Sequence, residues 1–198
     1  MKGGSFMANR IYTISRQYGG GGHSVAEALS KKLGIPYYDQ DIIEQIAVES
    51  GYSKELIKKE GEDMESDNFF LNALKSSRFE TNKQDVIWDF TKKVVRDLAA
   101  KESCIIIGRC SNYILRKNPN VVSVFLHADD ETRAERVKAR TGNSELPTAA
   151  ELRKIDKRRA AYYTNYTDYK WNDAQNYTIT LDTGKLSIEQ CVDIIAGL

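Results

Sequence analysis

Four consecutive glycines, Gly19, Gly20, Gly21 and Gly22, stand between the apolar run Ile11-Tyr-Thr-Ile-Ser15 with its tail Arg16-Gln17-Tyr18 and a stretch of helical spacing that opens at His23 and Ser24. Glycines at such a junction let backbone N–H groups approach an anion closely, and the helix terminus adds favourable potential. Phosphate is the usual guest. A flexible turn would look the same, but the place of the glycines, directly after the first buried strand, favours phosphate. Gly108-Arg109 closes a second apolar run, Cys104-Ile-Ile-Ile107. At the carboxyl end of a buried strand an arginine can grip a phosphate with its planar fork. A solvated loop arginine is the plainer alternative.

A third group is basic: Arg133, Arg136, Lys138 and Arg140, then Arg153, Lys154, Lys157, Arg158 and Arg159. Positions 133, 136 and 140 share a helix face, as do Asp156 and Arg159. A basic run is commonly a solvated face. Two such helices flanking the loop 141–149 suggest instead a lid that folds arginines over a transferring phosphate. A nucleic-acid face competes with the lid, yet 29 Lys+Arg against 28 Asp+Glu leave a net charge of +1, without the excess such binders carry. Asp39 would either orient a substrate hydroxyl or cap the helix after it. Tyr162, Tyr163, Tyr166, Tyr169 and Trp171 are spaced as packing residues more often are than as a stacking platform. Cys110 has no histidine near it in sequence, which favours a buried thiol over a nucleophile.

These residues need a scaffold, and the pattern of the chain supplies one. Val25, Ala26, Leu29 and Leu33 recur at helical spacing and end at Gly34, with Pro36 just beyond. Strand, glycines and helix open a βαβ unit. Pro36-Tyr-Tyr-Asp39 predicts a short strand, and residues 40–50 a helix that Gly51 ends. Residues 53–83 are charged and polar, with Leu56, Ile57, Phe69, Phe70, Leu71 and Leu74 as anchors, and are expected to form short helices. A long amphipathic helix is expected over 84–101, on the stripe Val86, Ile87, Phe90, Val94 and Leu98. The runs 104–107 and 121–126 are apolar but for Ser123, as in strands buried on both faces. Helices over 131–140 and 150–163, a last strand over 177–181 and a closing helix over 187–196 complete the pattern. Alternation of strand and helix predicts a parallel α/β sheet.

The chain of 198 residues is long enough for one domain with a small lobe. We expect a single domain over 10–198, a helical substrate lobe at 40–85, a lid at 137–160, and a leader or disordered start at 1–9. Hydrophobic residues at 41% and charged residues at 29% exclude a disordered chain. No apolar run nears the ~20 residues that span a bilayer, so no membrane partner is expected. Three cysteines and two histidines exclude a disulfide framework and argue against a His-ligated catalytic metal. A reduced, cytoplasmic protein is expected, and the sequence leaves its oligomeric state open.

Ile11-Tyr-Thr-Ile-Ser15-Arg16-Gln-Tyr-Gly19-Gly-Gly-Gly22, Pro36-Tyr-Tyr-Asp39, Ile105-Ile-Ile-Gly108-Arg109 and Asp156-Lys-Arg-Arg159 together resemble the cytidylate kinase-like branch of the P-loop nucleoside monophosphate kinases. Phe125-Leu-His-Ala-Asp-Asp-Glu-Thr-Arg133-Ala-Glu-Arg136 is similar to that family's strand and helix before the lid, and Asp182-Thr-Gly184 to its closing segment. The resemblance spans residues 10–196. It implies a P-loop fold, with a five-stranded parallel sheet flanked by helices, a small helical substrate lobe and an Arg-rich lid. It also implies ATP and Mg²⁺ as cofactors and small nucleotides as partners, with CMP or dCMP as acceptor. By resemblance, Gly19 to Gly22, His23 and Ser24 hold the ATP phosphates and Thr183 lies near the adenine. Arg109, Asp39, Asp156 and Arg159 hold the acceptor. Arg136, Arg140 and Arg159 face the transferring group.

The loop departs from the general motif G-x-x-x-x-G-K-[ST]. Aligned on the strand, the first glycine falls at Arg16, the lysine at Gly22 and the [ST] at His23. Gln45 stands where cytidylate kinases usually have an arginine. Arg16 is the nearest cation in sequence and is expected to stand in for the lysine as a catalytic charge. A nucleotide-binding module with little turnover is the second reading, and a kinase for another small acceptor the third.

Overall fold

The computed structural model describes residues 9–60, 83–142 and 144–198. The expected leader over 1–8 and the expected lobe helices over 61–82 lie outside the described residues.

Five strands form one parallel sheet: β1 (Ile11–Arg16), β2 (Tyr37–Tyr38), β3 (Cys104–Ile107), β4 (Val121–His127) and β5 (Ile179–Asp182), in the order β2-β3-β1-β4-β5. The central strand β1 pairs Ile11 with both Cys104 and Val121, so its backbone is bonded on both edges. Strands in that position bury both faces, which is why β3 reads as a continuous apolar run and every residue of β1 but Arg16 is buried.

Side chains alternate across the sheet. Tyr12, Ile14, Ile105, Ile107, Val124 and Leu126 face α1 (Gly22–Leu33) and α8 (Ile188–Ala196), where Val25, Leu29, Cys191 and Ile195 meet them. Ile11, Ile106 and Phe125 face the other layer. That layer holds α2 (Gln40–Ser50), α3 (Lys54–Glu60), α4 (Lys83–Lys101), α5 (Ser111–Ile114) and α7 (Ala149–Thr167). Each fully buried Ile or Leu in these cores contributes about 1.5–3 kcal/mol of transfer free energy.

α6 (Asp130–Thr141) and α7 pack against each other and form the basic pair. Asp129 caps α6 by accepting from Thr132 N–H, and a reciprocal Thr148/Glu151 box caps α7. α7 outruns its expected end at 163 and continues to Thr167, because Tyr162 and Tyr166 pack on Trp88 of α4. The last strand starts at Ile179 rather than 177. Tyr177 instead turns inward against Phe125 and donates its hydroxyl to Trp171 O at 2.6 Å. Among the described residues no helix is long and apolar enough to cross a membrane.

Candidate active site

Parallel pairing brings the carboxyl ends of β1, β3 and β4 to one edge, so the glycine loop, the Gly108-Arg109 turn and the start of α6 all lie there. Gly108 N–H donates to Ile14 O at 2.9 Å, tying the turn to the strand that feeds the loop.

The loop leaves β1 at Arg16, bends where Gly20 N–H donates to Gln17 O, and enters α1 at Gly22. Gly19 has φ +78°, and a Cβ there would stand 2.5 Å from Arg133 O, so only glycine fits between the loop and α6. The first intrahelical bond of α1 is Val25 N–H to Gly21 O. Helix geometry therefore leaves the amides of Gly22, His23 and Ser24 without intrahelical acceptors. The first turn carries no acidic side chain. A helix terminus of this kind holds an anion without further help.

These amides border a cavity of about 440 Å³ whose wall includes Arg16, Tyr18, Gly19 to Gly22, His23, Ser24, Asp39, Arg136, Arg140 and Arg159. Four arginines and a helix N-terminus thus face one space, with Asp39 the carboxylate among its described lining residues. Asp39 stands at the N-cap of α2 but makes no side-chain cap bond there. Its carboxylate lies 3.9 Å from His23 Nδ1 instead, and His23 packs edge-on against Tyr37.

The basic helices clasp the loop backbone. Arg159 Nη1 donates to Arg16 O at 3.1 Å. Asp156 Oδ1 accepts from Tyr18 N–H at 2.8 Å, and Arg133 Nη1 donates to Tyr18 O at 3.3 Å. The guanidinium groups of Arg140 and Arg159 lie over the Tyr18 ring, 5.1 and 5.7 Å from its centroid. Arg136 forks onto Thr183, donating to its Oγ1 at 2.7 Å and its carbonyl at 2.8 Å, while Thr183 Oγ1 donates to Gly20 O.

Three predicted site residues therefore stand behind the cavity wall. Asp156 is engaged by Tyr18 and Arg133, and Thr183 by Arg136 and Gly20. Arg109 lies at the correct edge, only 7% exposed, in a turn where Gly108, Arg109 and Cys110 all have positive φ. Two successive non-glycine residues in the left-handed region cost of order 1–3 kcal/mol each, a strain that clusters at ligand sites.

Arg133 does not share the phosphate-facing role expected of its helix face. It is 1% exposed and bonded to Asp156 and, at 2.8 Å, to Asp130. Burial pulls its pKa down, but hydrogen bonds to Asp156 and Asp130 outweigh that and hold it above the ordinary arginine value. The Asp130/Arg133 spacing of three was a local signal for this pairing. Tyr18, absent from the predicted set, carried none. Tyr162, Tyr163 and Trp171 are buried packing residues, and Tyr169 is half exposed. Cys110 is buried and forms no disulfide.

Among the described residues no group of three or more His, Cys, Asp or Glu is placed to hold a metal ion. Ser24 and Asp39 are among the residues that line the cavity. That set fits Mg²⁺ arriving with a nucleotide, held by phosphates and water with one or two protein oxygens.

A family model described as the cytidylate kinase-like family matches residues 11–185. The cytidylate kinase of Sulfolobus acidocaldarius is 25% identical over 185 residues, 93% of this chain and 91% of that protein. Among solved structures, an uncharacterized protein from Eubacterium ventriosum is 30% identical with a TM-score of 0.68, covering 96% of this chain and 97% of its own. A gluconokinase from Sinorhizobium meliloti shares the fold at 18% identity and a TM-score of 0.55, covering 96% of this chain and 91% of its own.

Proposed function

The chain belongs to the cytidylate kinase-like family, and from that premise we propose that it transfers the γ-phosphoryl group of ATP to a nucleoside monophosphate, CMP or dCMP. One observation carries the proposal: the open amides of α1 and four arginines face a single cavity. Phosphoryl transfer asks for positioning and charge neutralisation rather than covalent help, and this wall offers both.

In this reading the amides of Gly22, His23 and Ser24 bind the ATP phosphates from the helix terminus. A phosphate oxygen of the acceptor attacks the γ-phosphorus, and the bond to the β–γ bridging oxygen breaks. ADP leaves, and the acceptor becomes the diphosphate. Arg136 and Arg140 of α6 stabilise charge on the equatorial oxygens. Arg159 holds the loop through Arg16 O and borders the same space. Asp39 orients the acceptor, and Arg109 anchors its phosphate at the neighbouring turn. Mg²⁺ arriving with the nucleotide would be held from the loop by Ser24 and would supply positive charge that offsets the polyphosphate. Buried cysteines without a disulfide suit the cytoplasm, where we place the protein.

Release of ADP, coupled to an optical readout across the common ribo- and deoxyribonucleoside monophosphates, tests this. CMP or dCMP should give the highest kcat/KM. Preference for another monophosphate would overturn the acceptor assignment. ATP binding without transfer to any of them would establish the binding module, which glycine at the lysine position favours.

A further inference from the structure

We infer that residues 16 and 22 have exchanged roles relative to the general phosphate-binding loop. Arg16 carries the charge that the loop lysine normally supplies, and Gly22 is glycine because the stem of Arg16 fills the place of its side chain. The inference deepens the kinase reading above and rests on it for the word catalysis, though not for phosphate binding.

The general motif pairs a bare first position with a lysine six residues on. Here the first position is Arg16 and the sixth after it is Gly22. A Cβ built on Gly22 would lie 2.7 Å from Arg16 Cγ, 3.1 Å from its Cβ and 3.2 Å from its Cδ. The first distance is closer than real Cβ atoms come, so a side chain at 22 and the present path of Arg16 exclude each other. Backbone conformation does not demand this glycine. Gly19 and Gly21 have φ +78°, whereas Gly22 has no positive φ and is the first residue of α1. Glycine is a poor helix residue. Space, rather than conformation, accounts for it.

The root of Arg16 is fixed. Its residue ends β1, paired with Leu126, and its carbonyl accepts from Arg159. From there the side chain passes over the helix N-terminus and borders the cavity. Charge is needed at that point, because the helix terminus supplies only about half an elementary charge. Arg16 approaches the helix terminus from the side where a lysine at position 22 would start.

Four variants test the exchange: Arg16→Met, Arg16→Lys, Gly22→Lys and the swap Arg16→Gly/Gly22→Lys. Arg16→Met keeps an aliphatic stem over Gly22 and removes the charge. Its kcat should fall about 10²–10³-fold, as for loss of one preorganised donor. Arg16→Lys should restore part of that. Gly22→Lys alone should be impaired, since the two stems collide, and the swap should exceed Arg16→Met by about tenfold or more. Calorimetry with inorganic tripolyphosphate reads the same charge without any acceptor, and its affinity should follow the same order. Thermal melts show which variants are folded, and Arg16→Met against Arg16→Lys decides the matter if the swap is not. Equal tripolyphosphate affinity in wild type and Arg16→Met would overturn the inference. So would a folded swap no better than Arg16→Met. A wild type that transfers to no monophosphate, yet shows the predicted tripolyphosphate order, would sink the kinase reading and leave the exchange standing.

Discussion

Ile14 and Arg133 are both buried beside the glycine loop, at 0% and 1% exposure, and they are held there by different means. Ile14 sits on the sheet among Val25, Leu29, Ile107 and Leu126, in contacts that are many, weak and interchangeable. Arg133 sits on α6 among few partners: Asp156, Asp130 and the carbonyl of Tyr18. Through Asp156, which also accepts from Tyr18 N–H, it joins α6, α7 and the loop at one point. The sheet should thus yield gradually when its contacts are trimmed, and the α6–α7 pair abruptly.

The largest effect is expected from breaking the ion pair between α6 and α7. Arg133→Met leaves Asp156, 13% exposed, without its cation. Removing one member of a buried pair costs about 3–5 kcal/mol, and the low end applies because Asp130 keeps Arg153 at 2.6 Å. Urea denaturation should show about 3 kcal/mol lost. Adding Asp156→Asn neutralises the stranded charge while its amide oxygen still accepts from Tyr18. The double mutant should therefore recover stability, with a coupling of about 1–3 kcal/mol. Simple additivity of the two substitutions would mean that Arg133 is held by packing, as Ile14 is.

Ile14→Val probes the other side. It removes one methylene from a face with many remaining contacts and should cost about 0.5–1.5 kcal/mol by the same denaturation. Phosphoryl transfer should stay within about threefold of wild type. A cost near that of Arg133→Met would show that the sheet beneath the loop is as brittle as the α6–α7 pair.

The same contrast decides what could be read from the chain. Cys104-Ile-Ile-Ile107 announces a doubly buried strand by its composition, because apolar burial is a property of each residue alone. The parallel sheet, and the placing of the glycine loop and Gly108-Arg109 at strand ends, follow from such local signals, whereas the strand order came from the structure. The clasp did not follow. Asp156 meets Tyr18 across 138 positions, and Arg159 meets Arg16 across 143. A charge on a helix gives no sign of whether it faces water, a phosphate or a carboxylate, so Arg133 and Arg136 looked alike. Tyr18 was illegible for a similar reason: its role depends on two arginines that reach it from other helices.

The smallest expected effect is in pH dependence, and its sign differs between the two regions. Hydrogen bonds from Arg133 and Arg153 hold the Asp130 carboxyl below its ordinary value, and bonds within the caps do the same for Asp129 and Glu151. Groups with lowered folded pKa stabilise above their unfolded values, and that contribution is lost as pH falls through the folded ones. The α6–α7 pair should therefore loosen below about pH 4. In the core where β3 and the inner face of α7 pack together, burial pushes the Cys104 thiol from 9.0 to about 12 and the Tyr163 phenol from 10.0 to about 12. Their contribution is complete below the unfolded values and is lost as pH rises toward 12. Hydrogen exchange resolved by segment should show α6 and α7 opening first on the acid side, with β3 protected. Cys104 should resist alkylation at pH 9, where an exposed thiol is half ionised. Equal acid loosening of α6 and β3, or rapid labelling of Cys104 in the folded protein, would erase the distinction between a helix pair held by charges and a sheet held by apolar packing.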